Sequence, residues 1–180
     1  MIRYAISDPN TLRFDRLESD LLRFVRRGAT MILYRDKANP SYAQNAERFI
    51  AELRRRTSAQ ALLHADEALA ARLGADGVHF PSAELARIPR AKALGLYTVA
   101  STHTLDEALR AQSLGVDAVT LSPLFPSPGK GPALGVERFR GIVEKLEIPV
   151  IALGGIVDEE SIARALAAGA EGFASIRYFG

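Results

Sequence analysis

The chain has only three histidines, and each lies in or directly after a short apolar run. His64 follows "ALL", His79 is part of "GVHF", and His103 follows "VAST". An imidazole titrates near neutral pH and can therefore move a proton during a reaction. We predict that His103 is the catalytic acid and base, because it lies between a strand end of small residues and a capped helix. His64 and His79 are predicted to contact the substrate, and the alternative for His79 is a hydrogen bond inside the barrel.

These histidines do not predict a metal site. They come from three separate segments without a close pair such as HxH, and the chain has no cysteine to supply a thiolate. Metal sites of the zinc type draw on Cys, His and carboxylate ligands brought close together. We therefore expect no metal bound by the histidines.

The stretch "ALGGIVDEES" places two adjacent glycines between an apolar run and a helical pattern. Gly154 and Gly155 allow a ligand to approach the backbone closely, and their N–H groups can bind an anion before the helix begins. Ser175 and Ile176, at the end of the last apolar run, can add further N–H groups. We predict a phosphate site here, with an ordinary tight turn as the alternative.

Several basic and polar side chains also follow apolar runs. Lys37 belongs to "YRDK" together with Arg35, which can make a bidentate contact with a phosphate or carboxylate. Lys130 belongs to "FPSPGKG", whose prolines and glycines are typical of a mobile lid. We predict that these three residues and Ser101 bind the substrate. An ion pair between Arg35 and Asp36, and a solvated Lys130, are the alternatives.

One phrase occurs three times, as "GADGVHF" (74–80), "GVDAVTL" (115–121) and "GAEGFAS" (169–175). In each copy a glycine ends a helical pattern, an acidic residue follows, and a short apolar run begins. Each copy predicts a helix followed by a buried strand, with the acidic residue in the turn and without a catalytic role. The same order recurs more loosely and predicts eight strands, at Arg3–Ser7, Thr30–Tyr34, Ala61–His64, Gly77–Phe80, Tyr97–Ala100, Ala118–Leu121, Val150–Leu153 and Gly172–Ser175.

Eight strands separated by crossovers predict a single α/β domain over residues 1–180, a compact (β/α)8 TIM barrel. Short turns are expected at 82–95, where Pro89 interrupts the helical pattern. A doubly wound open sheet is the alternative, but it needs a glycine-rich turn where the chain reads "SDPNTLR". In barrels the chemistry collects at the C-terminal strand ends, and phosphate binds at the loops after strands seven and eight. The predicted site residues therefore share one rim. Helices are expected at Asp15–Arg27, Tyr42–Arg55, Leu105–Leu114 and Ser161–Ala168.

Only "IRYFG" follows the eighth predicted strand, so the barrel is predicted to lack its last helix. The groove between the seventh and first helices is then under-covered. We expect Tyr178, Phe179 or a partner subunit to fill it. Because an exposed apolar patch favours association, a homodimer is expected.

Composition excludes several classes of partner. The net charge is +2, and the arginines are spread over helical patterns without a basic stripe, so nucleic-acid binding is not expected. No run approaches the roughly 20 apolar residues of a membrane span. The first residues, "MIRYAISDPN", lack the apolar run of a signal peptide, so a cytoplasmic location is expected.

The motifs together resemble the thiamin phosphate synthase and thiazole tautomerase superfamily over most of the chain. The resemblance implies a barrel that acts on a phosphorylated hydroxyethylthiazole in thiamin biosynthesis. For the synthase branch it implies that Arg35, Lys37 and Lys130 hold pyrophosphate and that Ser101 lies near a pyrimidine. The predicted phosphate site would hold the thiazole phosphate. The segments that carry the resemblance are "LYRDK" (33–37), "GADGVHF" (74–80), "STHTLDEA" (101–108), "SPLFPSPGKG" (122–131) and "ALGGI" (152–156).

The chain departs from the synthase pattern at the metal site. That branch joins an aminopyrimidine diphosphate to the thiazole phosphate with magnesium held by two aspartates, whereas this chain has His64-Ala65 at one position and only Glu84 near the other. The tautomerase branch needs no metal and uses one histidine, matching His103, as acid and base. We therefore favour a tautomerase without a cofactor. The alternatives are a synthase with Mg²⁺ and a non-catalytic protein that binds thiazole phosphate.

Overall fold

Eight parallel strands close into a barrel in chain order, with β8 paired to β1. The computed structural model describes all 180 residues. This architecture confirms the predicted α/β barrel, and every strand bound lies within two residues of its predicted position. The strands are β1 (Ile2–Ile6), β2 (Met31–Tyr34), β3 (Gln60–His64), β4 (Gly77–Phe80), β5 (Tyr97–Thr102), β6 (Ala118–Leu121), β7 (Val150–Leu153) and β8 (Gly172–Ser175).

Helices connect the strands on the outside of the barrel, and none follows β8, as predicted. The crossover between β4 and β5 consists of a 3-10 segment, Ser82–Arg87, and a helix with Pro89 in its first turn, which confirms the expected short turns. None of the helices combines the length and the apolar character needed to cross a bilayer. The seven α-helices are α1 (Leu17–Arg26), α2 (Tyr42–Arg56), α3 (Glu67–Leu73), α4 (Ile88–Ala93), α5 (Leu105–Ser113), α6 (Gly135–Val143) and α7 (Glu159–Ala167).

The three repeated segments form the same junction between a helix and a strand. Their glycines follow α3, α5 and α7 with φ between 69° and 99°, a left-handed conformation that ends a helix. Asp76 accepts a hydrogen bond from the backbone N–H of Ala61 at 2.8 Å, and Asp117 accepts one from Thr98 at 2.7 Å. Glu171 makes no such side-chain bond. Two of the three acidic residues therefore fasten the junction to the preceding strand, at the rim opposite the predicted site.

The barrel interior is apolar up to the level of the site. A cluster of nine buried residues, including Tyr4, Leu33, Val99 and Ile151, fills it. A second cluster of 41 buried residues packs the helices against the outer face of the sheet. Because the strands are covered on both faces, they are apolar almost throughout, as parallel strands usually are. Polar side chains enter the interior mainly at the C-terminal strand ends.

The C-terminal residues occupy the place of the missing helix. Phe179 is fully buried, with its ring stacked on Phe173 at 5.7 Å between centroids and edge-on to Phe24 at 6.4 Å. Arg23 donates from Nε to the carbonyl of Phe179 at 3.1 Å. The chain therefore fills the groove itself, which confirms the predicted use of its last aromatic residues. The homodimer stays a prediction, but this groove no longer supports it.

Candidate active site

A cavity of about 520 Å³ opens at the C-terminal ends of the strands. Apolar side chains from β1, β2, β7 and β8 form its floor, and polar and basic side chains surround its opening. Every residue predicted for the site lines this one cavity, so the fold brings these residues together. Their individual roles stay predictions. These residues are Arg35, Lys37, His64, His79, Ser101, His103, Lys130, Gly154, Gly155, Ser175 and Ile176.

The turn after β7 requires glycine at two successive positions. Gly154 and Gly155 have φ of 101° and 71°, which side chains rarely adopt. A Cβ on Gly154 would lie 2.7 Å from Pro123, and one on Gly155 would lie 2.6 Å from Phe125. The segment after β6 therefore packs directly on this turn. Packing alone accounts for both glycines, so the presence of an anion site depends on the orientation of the backbone.

The backbone N–H groups of this turn are free to bind a ligand. Those of Gly154, Gly155 and Ile156 donate to no backbone acceptor, and the same holds for Ile176 on the adjacent strand end. Successive free N–H groups form a concave site that suits a phosphate. The hydroxyl of Ser175 donates to the carbonyl of Ile156 at 2.8 Å, so it ties the two loops together. The ligand would then meet backbone N–H groups, as predicted for this turn.

Three basic side chains form an unpaired group on the cavity wall. Arg35, Lys37 and Lys130 take part in none of the chain's salt bridges. Asp36, the alternative partner for Arg35, instead accepts a hydrogen bond from Asn39 at 2.9 Å. The positive charge of Arg35, partial burial and the charge of Lys130 lower the pKa of Lys37. Mutual repulsion of this kind favours the binding of an anion among them.

His103 is held by a carboxylate on the following helix. Its Nδ1 lies 3.1 Å from Oε2 of Glu107, and the same oxygen accepts the backbone N–H of His103 at 2.7 Å. Thr104 caps α5, the helix that was expected to be capped after His103, by accepting from the N–H of Glu107. The imidazole is about half exposed, with Nδ1 engaged by the carboxylate. Nε2 is therefore the nitrogen available to a ligand.

His64 lies on the cavity wall as a neutral side chain. Burial, together with the nearby charges of Arg35 and Lys37, lowers its pKa to about 4. Its Nδ1 is buried and has no hydrogen-bond partner. At neutral pH His64 can therefore offer a ligand a hydrogen bond, but no positive charge.

His79 is committed to the protein through both ring nitrogens. Nδ1 lies 2.8 Å from the hydroxyl of Tyr4, and Nε2 lies 2.7 Å from the hydroxyl of Ser101. The residue is only 4% exposed. Both contacts fit the alternative given for His79, a histidine that hydrogen-bonds inside the barrel, and its contact with the substrate stays a prediction. Ser101, its partner, also lines the cavity.

The carboxylates nearest to the positions that the resemblance assigns to magnesium already have partners in the protein. Asp66, the residue after Ala65, caps α3 by accepting from the N–H of Leu69 at 2.9 Å, and Glu84 forms a salt bridge with Arg87 at 2.8 Å. No three His, Cys, Asp or Glu residues of the chain gather in a metal-binding arrangement. Magnesium prefers oxygen ligands in a nearly octahedral arrangement. The residues present therefore do not fit a magnesium ion held by the protein.

Two charged residues of the cavity wall were not among the predicted site residues. Arg177 follows β8 beside the glycine turn, and it is exposed and forms no salt bridge. Asp8 follows β1 and accepts the backbone N–H groups of Asn10 and Thr11, so it shapes its own loop. The signal for Arg177 was its place at a strand end next to the predicted phosphate site.

A closed parallel barrel with a polar cavity at its C-terminal mouth defines a (β/α)8-barrel enzyme that acts on a small molecule. The family described as thiamine monophosphate synthase matches residues 3–179. The chain belongs to this family, as the motifs indicated.

Relatives in this family carry the name of the synthase. The thiamine-phosphate synthase of Thioalkalivibrio sulfidiphilus is 33% identical over 174 residues, which cover 93% of this chain and 82% of that protein. The thiamine-phosphate synthase of Methanoculleus marisnigri is 34% identical over 182 residues, which cover 96% and 84%. These relatives support a thiamin-biosynthesis enzyme, and they favour the synthase, which was the alternative above, over the tautomerase.

Solved structures give the same family and the same fold. The thiamine phosphate pyrophosphorylase from Pyrococcus furiosus superposes with a TM-score of 0.81 at 28% identity, covering 97% of this chain and 84% of that one. A KDPGal structure superposes with a TM-score of 0.77 at 21% identity, covering 97% and 82%. The second similarity shows the barrel fold alone.

Proposed function

We propose that this protein is a thiamin phosphate synthase, which joins an aminopyrimidine diphosphate to a thiazole phosphate and releases pyrophosphate. The observation that supports this most strongly is the presence of two separate anion-binding features in one cavity. The free N–H groups at Gly154–Ile156 suit a phosphate monoester, and the unpaired cations Arg35, Lys37 and Lys130 suit a diphosphate. The two synthase substrates would occupy both features at once, one with its phosphate and the other with its diphosphate.

The reaction forms one bond and breaks one bond. The lone pair of the thiazole nitrogen attacks the methylene carbon of the pyrimidine, while the bond between that carbon and the diphosphate oxygen breaks. The electron pair of the broken bond leaves with pyrophosphate, and the ring nitrogen of the product becomes positively charged. Arg35, Lys37 and Lys130 would receive the negative charge that develops on the leaving oxygen. No proton transfer is needed in this step.

A thiazole tautomerase remains the second candidate because of His103. Its Nδ1 contacts Glu107 at 3.1 Å, which leaves Nε2 without a partner in the protein, and a free ring nitrogen at the cavity suits a general acid and base. In that reaction the imidazole takes a proton from one ring atom of a thiazole carboxylate phosphate and returns a proton to another. Loss of His103 would then abolish turnover, whereas the synthase step does not require a proton from it.

One set of assays separates these functions. Purified protein is incubated with both synthase substrates and, separately, with thiazole carboxylate phosphate, and pyrophosphate release and tautomer conversion are followed. We expect pyrophosphate release that depends on both substrates and persists, at least in part, in the His103→Ala variant. Tautomer conversion that is lost in His103→Ala, without pyrophosphate release, would replace the proposal by the second candidate. Binding of thiazole phosphate without either turnover would indicate the non-catalytic alternative.

Metal dependence is tested through binding of the product. Since the carboxylates do not fit a protein-held magnesium ion, we expect inorganic pyrophosphate to bind in EDTA through the basic residues. Calorimetric titration with and without Mg²⁺ measures this affinity directly. Binding that disappears in EDTA would contradict the assignment.

A further inference from the structure

A buried chain of hydrogen bonds leads from β1 through β4 to the cavity. The hydroxyl of Tyr4 lies 2.8 Å from Nδ1 of His79, and Nε2 of His79 lies 2.7 Å from Oγ of Ser101. Tyr4 is fully buried and His79 is 4% exposed, and their rings stack with centroids 5.7 Å apart. Ser101, at the end of the chain of bonds, lines the cavity, and its hydroxyl has a proton that the chain of bonds does not fix.

The imidazole in the middle of this chain is neutral. Burial, and after it the charges of His64 and Arg35, lowers the pKa of His79 to about 3. A neutral imidazole has one N–H and one bare nitrogen, so one of its two contacts must be donated and the other accepted. Two arrangements are therefore possible. In one, Nδ1 carries the proton and Ser101 donates to Nε2, and in the other, Nε2 carries the proton and Ser101 accepts it.

The partners of Tyr4 decide between them. If Nδ1 carried the proton, Tyr4 would accept it, and the phenolic proton would then have no acceptor, because His79 is the only hydrogen-bond partner of that hydroxyl. A buried donor without an acceptor is costly. If Tyr4 donates to a bare Nδ1, every group is satisfied, and Nε2–H donates to Ser101. The hydroxyl proton of Ser101 must then find an acceptor elsewhere.

No protein group takes that proton. His79 is the only partner of the Ser101 hydroxyl. Thr120 is the neighbour of Ser101 on β6, but its buried hydroxyl makes no hydrogen bond and therefore does not accept from Ser101. The remaining direction is the cavity, which Ser101 lines.

We infer that Tyr4 and His79 are positioning residues that fix Ser101 as a hydrogen-bond donor into the cavity, so that the ligand group facing Ser101 must be an acceptor. An unprotonated ring nitrogen or a carboxylate oxygen takes the hydroxyl proton, whereas an amino group could only donate to the remaining lone pair of Ser101 and would leave that proton without an acceptor. That Ser101 is a donor follows from the contacts within the protein alone. The choice of a pyrimidine ligand for the binding experiment rests on the proposed function.

The first experiment measures the tautomer without any ligand. The chain has only three histidines, so the ring nitrogens of ¹⁵N-labelled protein can be assigned by NMR, with His79→Gln identifying one set of signals by its loss. A protonated and a bare ring nitrogen have clearly different shifts. We expect a bare Nδ1 and a protonated Nε2 in His79 at neutral pH. A protonated Nδ1, or protons on both nitrogens, would overturn the inference whatever the ligand is.

The second experiment tests whether Tyr4 acts through Ser101. Affinity for the aminopyrimidine diphosphate is measured for Tyr4→Phe, Ser101→Ala and the double variant. Each single variant is expected to weaken binding by roughly three- to tenfold, the value of one hydrogen bond, and the double variant no more than Ser101→Ala. Equal losses from Tyr4→Phe with and without Ser101 would mean that Tyr4 has only a structural role.

A matched variant controls for the loss of a tyrosine hydroxyl in the barrel. Tyr97, on β5, also points into the interior but makes no side-chain hydrogen bond, so Tyr97→Phe is expected to leave the affinity unchanged. If wild-type protein binds no aminopyrimidine diphosphate, the proposed function fails, and the NMR measurement still decides the polarity of Ser101.

Discussion

Replacement of Arg35 by glutamine is expected to change the stability of the free protein and its affinity for a diphosphate in opposite directions. Arg35 lines the cavity with Lys37 and Lys130, and its charge is the largest cause of the lowered pKa of Lys37. In the free protein these charges repel one another, because no acidic side chain pairs with them. A diphosphate reverses the balance, since it brings negative charge to the same place.

The two effects differ in size. Lys37 is exposed, so solvent screening limits the repulsion that Arg35→Gln relieves to less than about 1 kcal/mol. A charge-assisted hydrogen bond to the ligand contributes about 1.5–3 kcal/mol, so the variant is expected to bind pyrophosphate roughly 10- to 150-fold more weakly. The free variant should therefore be as stable as the wild type or slightly more stable, while ligand-induced stabilisation falls.

Thermal unfolding with and without inorganic pyrophosphate measures both quantities. Pyrophosphate at about 1,000 times the wild-type Kd stabilises the wild type by about 4 kcal/mol, and a 100-fold weaker variant by only about 1.4 kcal/mol. Arg72→Gln is the matched control, because Arg72 is exposed on α3, forms no salt bridge and lies outside the cavity. A destabilised Arg35→Gln protein with unchanged pyrophosphate binding would refute the assignment of Arg35 to the anion site.

Three further predictions concern the fold around the site. Phe179→Ala is expected to lower the free energy of unfolding, measured by urea denaturation, by about 3–5 kcal/mol, because the buried ring fills the groove beside Phe173. The neighbouring variant Tyr178→Phe is expected to lower it by less than about 1 kcal/mol. Ala65→Asn is expected to raise the free energy of unfolding by up to about 1 kcal/mol, since Ala65 has φ of 52° and asparagine tolerates this left-handed conformation better. An unchanged or lower free energy of unfolding would contradict this reasoning. His64 has a pKa of about 4 in the folded protein and 6.5 as a free side chain, so between these values the unfolded chain binds more protons and the folded protein loses stability as the pH falls from 6.5 to 4. In His64→Asn the urea midpoint should depend less on pH across that range.

The barrel was predictable because its signals are local. Each strand is a short apolar run next to a glycine junction, and the order of helices and strands restricts the topology to very few forms. The shared rim followed from the same reasoning, since parallel strands place all their C-terminal ends on one side. One helix was missed for a local reason as well. α6 begins at Gly135, a poor helix former.

The partners of the site residues were not predictable, because they lie far away in the sequence. Tyr4 and His79 are separated by 75 positions, and the sequence gives no sign that they meet. A hydrogen bond inside the barrel was the alternative for His79, but the sequence did not show that Tyr4 and Ser101 would be its partners. The preference for a tautomerase had another cause. It gave most weight to the missing magnesium ligands, whereas the relatives over most of the chain are synthases.

Contacts between the β6–α6 segment and the glycine turn connect the two anion-binding features. Leu124 donates its backbone N–H to the carbonyl of Leu153 at 2.8 Å, and Phe125 donates to Gly154 at 3.0 Å, so the start of the segment is fixed to the turn. Lys130 lies five residues beyond Phe125, after Pro128 and beside two glycines. The segment thus has a rigid base on the phosphate turn and a freer tip that carries the cation. A phosphate bound at the turn would stabilise that base. Movement of Lys130 toward a second anion would then involve only the residues at the tip of the segment.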